Sequence, residues 1–217
     1  GEAGAKLLDS YTPERRGATL DVFNNATKST RFMTPPTRGW KVVRDAALSL
    51  ALTEEFARPF ANPRQMAPYT YANSPLTIAD RAPNDRGVMP GAFAPNVRLR
   101  DGSHLLNYVG RGLTAILFAR STTSGGIDAL AKAGSALDPH FKLIVVTSGT
   151  TALESGDETS VRISEDGSDL AAVYGAADFQ LILLRPDFYV AARWPAADAD
   201  DLRAALSQIL DIEGCGR

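Results

Sequence analysis

Apolar positions along this chain follow two different rhythms. In the first third they recur at three- and four-residue steps. Trp40, Val43, Ala47 and Leu50 share one face of a helix predicted to begin near Arg38. Ahead of it, Ala18, Val22, Phe23 and Ala26 form a looser stripe. Thr12-Pro13-Glu14 reads as the start of that earlier helix: Thr12 as N-cap, Pro13 at the first helical position, Glu14 in the first turn. It is expected to run to about Ser29, before Pro35-Pro36 break the chain. Pro59, Pro63, Pro68 and Pro75 then mark an irregular, extended stretch leading to a boundary near Leu76.

From Asn96 the period shortens. Asn96–Arg100 alternates polar and apolar, Asp101-Gly102 is a turn signal, and His104–Leu106 is expected to return as a short strand. Leu113–Ala119 and Phe141–Thr147 are short, nearly continuous apolar runs, the mark of strands buried on both faces. Ile127–Ala133 lies between them as a helix. Asp169–Tyr174 is predicted helical and ends at Gly175. Gln180–Leu184 and Tyr189–Trp194 read as strands joined by Arg185-Pro186-Asp187-Phe188, a turn with proline second. Asp198–Asp201 caps a last helix with Leu202, Ala205, Leu206 and Ile209 on one face.

A β-α-β unit demands a parallel pair with a right-handed crossover. The late hairpin adds antiparallel strands to the same sheet. A mixed sheet sandwiched by helices in this order resembles the thioredoxin arrangement. The expected class is therefore α/β: a helical segment over 1–76, then a thioredoxin-like domain over 77–217.

Composition narrows the function. Hydrophobic residues make up 44% and charged residues 22% of the 217, as in a globular protein. Lys plus Arg number 23 against 25 Asp plus Glu, a net charge of -2 that gives no reason to expect nucleic-acid binding. No apolar run is long enough to span a bilayer, and Gly1–Asp9 has no signal-peptide pattern. Cys215 is the single cysteine, so no intrachain disulfide or thiolate metal cluster can form, and a reducing cytoplasm is the expected location.

The strand-turn-helix at Leu113–Gly134 is where chemistry would be sought. A thioredoxin-type redox site needs a cysteine at the first helix's amino end, where free N–H groups lower its pKa. Ser121, Thr122, Thr123 and Ser124 stand there instead, followed by Gly125 and Gly126. The proline expected before the late hairpin is also absent, since Asp178-Phe179 occupies that place. Dithiol chemistry is excluded by residue identity. An anion cradle over Ser121–Gly126 stays open, because helix amino ends bind anions through free N–H groups. The simpler meaning, a Thr123 or Ser124 helix cap, is favoured because serine and threonine are preferred caps whatever the function.

His104 and His140 are the only histidines, and no Gly-x-Ser-x-Gly elbow accompanies them; surface or packing roles are expected. Two scattered histidines without paired carboxylates give no metal site. Asp198, Asp200 and Asp201 read as helix caps, Arg15-Arg16 as a solvated face, and Trp40 and Trp194 as packing residues. No residue is assigned a catalytic or cofactor-binding role.

Particular residues point to a family. Ala94-Pro95-Asn96-Val97-Arg98-Leu99, Asp101-Gly102, Leu106 and Gly110 resemble the opening hairpin of peroxiredoxins and their relatives. Leu7-Leu8-Asp9-Ser10-Tyr11 with Glu14-Arg15-Arg16 resembles the segment that closes the flavin domain of FAD-dependent aromatic hydroxylases. Arg44-Asp45, Tyr71, Ser74-Pro75-Leu76, Arg81-Ala82-Pro83, Pro90-Gly91 and Arg185-Pro186-Asp187 are similar to that family in the same order. The chain thus resembles the C-terminal portion of a class A flavoprotein monooxygenase, the group of phenol, 3-hydroxyphenylpropionate and polyketide hydroxylases.

That resemblance implies a full-length enzyme that uses FAD and NAD(P)H to insert one oxygen of O2 into an aromatic ring. The G-x-G-x-x-G fingerprint occurs nowhere in these 217 residues, and Gly110-Arg111-Gly112 precedes a strand rather than a helix. The expectation is a portion of a longer polypeptide, inactive and without cofactor by itself. Its partner would be the upstream FAD-binding domain, its role domain covering or oligomerisation. A free-standing thioredoxin-like module, binding an anionic ligand or a protein partner at Ser121–Gly126, is the alternative.

Overall fold

The computed structural model of the chain describes residues 5–61, 67–81, 87–119, 124–147, 159–164, 169–196 and 198–210. Two compact units emerge, Thr12–Tyr69 and a larger one of Gly1–Tyr11 with Thr70–Arg217.

The larger unit holds a mixed sheet of β1 (Ala79–Asp80), β2 (Thr114–Phe118), β3 (Lys142–Thr147), β4 (Ser160–Ser164), β5 (Leu181–Leu184) and β6 (Val190–Trp194). Their spatial order is β1-β6-β5-β2-β3-β4. The expected β-α-β unit is present: β2 pairs parallel with β3, and β5 and β6 form the antiparallel hairpin. In register, Ile116 of the central strand faces Ile144 on one side and Ile182 on the other.

Side chains alternate between the faces of a strand, so each apolar run supplies two cores. Ala115, Leu117, Leu143, Val145, Leu181 and Leu183 point to one side. There they meet helices α5 (Ser124–Ser135), through Ile127, Leu130 and Ala133, and α7 (Ala199–Leu210), through Leu202, Ala205, Leu206 and Ile209. The α7 stripe falls where its spacing predicts, and Asp198 Oδ1 accepts the N–H groups of Asp200 and Asp201 as the cap. On the other face, Ile116, Phe118, Ile144, Val146, Ile182 and Leu184 pack with Leu170 and Tyr174 of α6 (Leu170–Tyr174) and with Val88, Ala94, Leu99 and Leu105. Burial pushes the Tyr174 phenol well above its ordinary pKa. The group therefore stays protonated and donates to the Pro95 carbonyl at 2.8 Å.

The segment leading into the sheet is tied down by backbone and charge. Gly91 N–H donates to Val190 O and its carbonyl accepts from Tyr71 N–H, both at 2.7 Å. With φ +85° and no room for a Cβ against the Tyr71 and Ala72 backbone, only glycine suits position 91. Arg193, fully buried on β6, reaches the Asp80 carboxylate through Nε at 2.9 Å and Nη2 at 2.8 Å. A buried guanidinium is tolerated only with such bidentate pairing.

The smaller unit is helical. Its α2 (Tyr11–Met33) and α3 (Arg38–Thr53) are followed by a 3-10 turn at Glu55–Ala57 and a single turn, α4 (Arg58–Ala61). The earlier helix begins at Tyr11 and not after a Thr12 cap, because α1 (Ala5–Asp9) and Ser10 precede it almost without interruption. Thr37 caps α3, its hydroxyl accepting from Trp40 N–H at 3.3 Å. Four further expectations are corrected. The 96–106 hairpin shrinks to one bridge, Arg98 with His104, since Leu105–Tyr108 turns into a 3-10 helix. Part of the proline-rich stretch is helical, as α4. The strands β1 and β4 were not foreseen.

Replacing Asp80 by alanine leaves the Arg193 charge buried without its carboxylate. The larger unit should lose about 2–3 kcal/mol in urea unfolding, the value discounted because Asp80 is partly exposed. Arg81→Ala, which removes only the exposed Asp201 pair, should cost under about 0.5 kcal/mol. Stability should also fall as pH rises past about 10, where unfolded tyrosine ionises and buried Tyr174 does not; Tyr174→Phe should flatten that fall.

Candidate functional site

Of the predicted turn, Ser121, Thr122 and Thr123 lie outside the described residues. Ser124 and Gly125 open α5, and Gly126 has open space around it. Phe179 N–H donates to Phe118 O at 2.6 Å beside the end of β2, with Phe179 at φ +61°, so a strained backbone residue takes the place searched for proline. Cys215 also lies outside the described residues.

The histidines do not converge. His104 sits in the bridge with Arg98, whereas His140 N–H donates to Asp138 Oδ1 at 2.8 Å. Among the described residues, no group of His, Cys, Asp or Glu could hold a metal ion. Arg185 is nearly buried at the hairpin corner. It grips Asp187 bidentately, at 3.0 and 2.7 Å, and lies 5.9 and 5.8 Å from the ring centres of Tyr71 and Tyr189. With the Phe188 N–H to Arg185 O bond closing the turn, this is a corner brace.

The larger candidate is a surface. The 16-residue helix α3 has no buried residue, and Ala57 is the sole buried apolar residue among those described in the helical unit. Leu52 is 85% exposed, Met33 72% and Phe60 69%. Between α2, α3 and α4 runs a groove of about 940 Å³. Its floor is Phe32, Trp40, Val43, Ala47, Leu50 and Phe60, with Lys28 and Arg31 on the rim. The stripe Trp40, Val43, Ala47, Leu50 was legible from spacing. Phe60 was not, because it lies among prolines that read as an irregular stretch. Isolated helices of this length owe most of their stability to packing of an apolar face. An uncovered area of this kind marks an interaction surface.

No protein-family model matches the chain, and no curated protein does. Solved structures do. The chain is 26% identical to RebC soaked with chromopyrrolic acid and holding 7-carboxy-K252c, with a TM-score of 0.59, over 97% of this chain and 38% of that one. Another form of RebC, described as a rebeccamycin biosynthetic enzyme, holds reduced flavin. Aklavinone-11 hydroxylase with FAD and aklavinone is 22% identical, with a TM-score of 0.61, over 97% of this chain and 36% of that one. The flavin-dependent monooxygenase PieE with FAD and substrate is 18% identical, with a TM-score of 0.56, over 97% and 41%. Nearly all of this chain is therefore similar to well under half of the length of several flavin-bearing enzymes.

Neither the end of β2 nor that of β3 carries, in sequence, the features of a dinucleotide-binding turn. Where β2 passes into α5, the sequence Ala119-Arg120-Ser121-Thr122-Thr123-Ser124 lacks the glycine spacing that lets a pyrophosphate approach a helix end. The neighbouring strand β3 ends at Thr147, with no acid there for a ribose.

The groove makes a prediction for the purified chain. It should bind a hydrophobic dye such as ANS, and Val43→Asp with Leu50→Asp should cut the fluorescence severalfold. Because both side chains are exposed, the unfolding midpoint should move by less than about 0.5 kcal/mol.

Proposed function

We propose that this chain is the C-terminal part of an FAD- and NAD(P)H-dependent monooxygenase that hydroxylates an aromatic substrate. Residues 1–76 are the helical tail of the FAD- and substrate-bearing domains. Residues 77–217 are a thioredoxin-like domain without redox activity, whose role is to cover those domains or support oligomerisation. The observation that carries this reading is the uncovered apolar face of α2 and α3. What the face lacks is an occupant, and the neighbours are chains of which this one matches only 36–41%. The reading commits the groove to the flavin-bearing part of the same polypeptide, cytoplasmic like the rest.

The strand order supports the thioredoxin-like assignment: a central β2 flanked by parallel β3 and antiparallel β5, with β6 beyond. Hydroxyl residues at 121–124 and the remoteness of Cys215 in sequence support the absence of thiol chemistry. In this reading FAD supplies the oxygen chemistry from upstream, and the residues of this chain supply covering surface.

The test uses flavin absorbance and NAD(P)H oxidation. The chain alone should leave the spectrum of added FAD unshifted and oxidise no NAD(P)H. Joined to the flavin-bearing region of its reading frame, it should copurify with FAD and consume NAD(P)H. Tight FAD binding by the chain alone, or an upstream frame encoding no flavin domain, would overturn the reading.

A further inference from the structure

Where β2 and β3 begin lies a second cleft of about 480 Å³. Arg111, His140 and Lys142 line it together with Gly110 and Thr159, and none of the described residues lining it is acidic. Among the described residues, none of the three basic side chains forms an ion pair. The nearby carboxylate is already committed. Asp138 Oδ2 accepts from Leu113 N–H at 2.7 Å, and Oδ1 accepts from His140 N–H at 2.8 Å.

Those two bonds also hold the cleft in shape. Asp138 is buried and staples the 109–113 loop to the 138–142 loop, one on each side of the opening. Gly112 lies so close that a Cβ would collide with the Asp138 carboxylate. Gly110 N–H donates to Thr114 Oγ1 at 3.1 Å, and the Lys142 stem rests across Gly110, 3.1 Å from where a Cβ would stand. Lys142 is half-buried, while Arg111 and His140 are exposed at the mouth. Three basic residues, Arg111, His140 and Lys142, thus line one opening, in a chain whose net charge is -2.

We propose that this cleft binds a phosphate-bearing small molecule. Phosphate suits it better than a single carboxylate. A dianion can engage the planar fork of Arg111 and the point charge of Lys142 together, with oxygens left for His140. The site does not rest on the flavin reading.

The test is a titration of the purified full chain with pyrophosphate and with inorganic phosphate, followed by amide NMR, with acetate as the monoanionic comparison. Both phosphates should shift the amides of Gly110, Arg111, His140 and Lys142, and acetate should leave them in place. Tighter binding of pyrophosphate would assign the cleft to a phosphate ester or anhydride; equal binding would assign it to the free ion. Arg111→Gln and Lys142→Gln should each weaken binding about tenfold. Lys41→Gln, on α3 of the other unit, should leave it unchanged and so separates the site from general surface charge. No response at millimolar pyrophosphate, an equal response to acetate, or unchanged affinity in the Arg111→Gln, Lys142→Gln double variant would overturn the proposal.

Discussion

The larger unit depends on one strand being buried on both faces and both edges. β2 has β3 on one edge and β5 on the other, and every residue from Thr114 to Phe118 is buried. Ala115 and Leu117 face α5 and α7, while Ile116 and Phe118 face α6 and the segment around Ala94 and Leu105. A strand in this position cannot slip by one residue without exchanging its two cores. That constraint ties the register of β3 on one edge and of β5, with its hairpin partner β6, on the other.

The helical unit obeys the opposite logic. Its helices are long enough to be regular, and α3 is well capped by Thr37, yet nothing described in that unit gives their apolar side chains a core. Apolar area of this kind is stabilised only when something removes it from water. In the sheet unit, by contrast, the one fully buried charge has its partner: Arg193 is matched by Asp80. One unit has a closed apolar core, and the other leaves the apolar face of α3 exposed. The proposed C-terminal portion of a flavin-bearing polypeptide would have that division of labour.

Much of the sheet unit was legible because its signals are local. The α7 stripe, the stop at Gly175, the Arg185–Phe188 turn and the two nearly continuous apolar strands each carry their period within a few residues. What escaped depends on distance. β4 buries only Ile163 at the sheet edge, so its sequence Ser-Val-Arg-Ile-Ser carries little apolar signal. β1 has only two residues and is defined by pairing with β6 over a hundred positions later. The cleft of Arg111, His140 and Lys142 is likewise assembled across some thirty residues, with Asp138 as the hidden staple. The hydroxyl turn, the most conspicuous feature of the sequence, falls partly outside the described residues.

Hydrogen exchange on the chain alone and on the same chain joined to the flavin-bearing region proposed to precede it would separate the alternatives most directly. If α2 and α3 are completed by that region, their amides should gain protection on joining while those of β2, β3 and β5 stay as they were. Identical exchange of α2 and α3 in the two forms would contradict the assignment of this surface to the flavin-bearing part of the polypeptide.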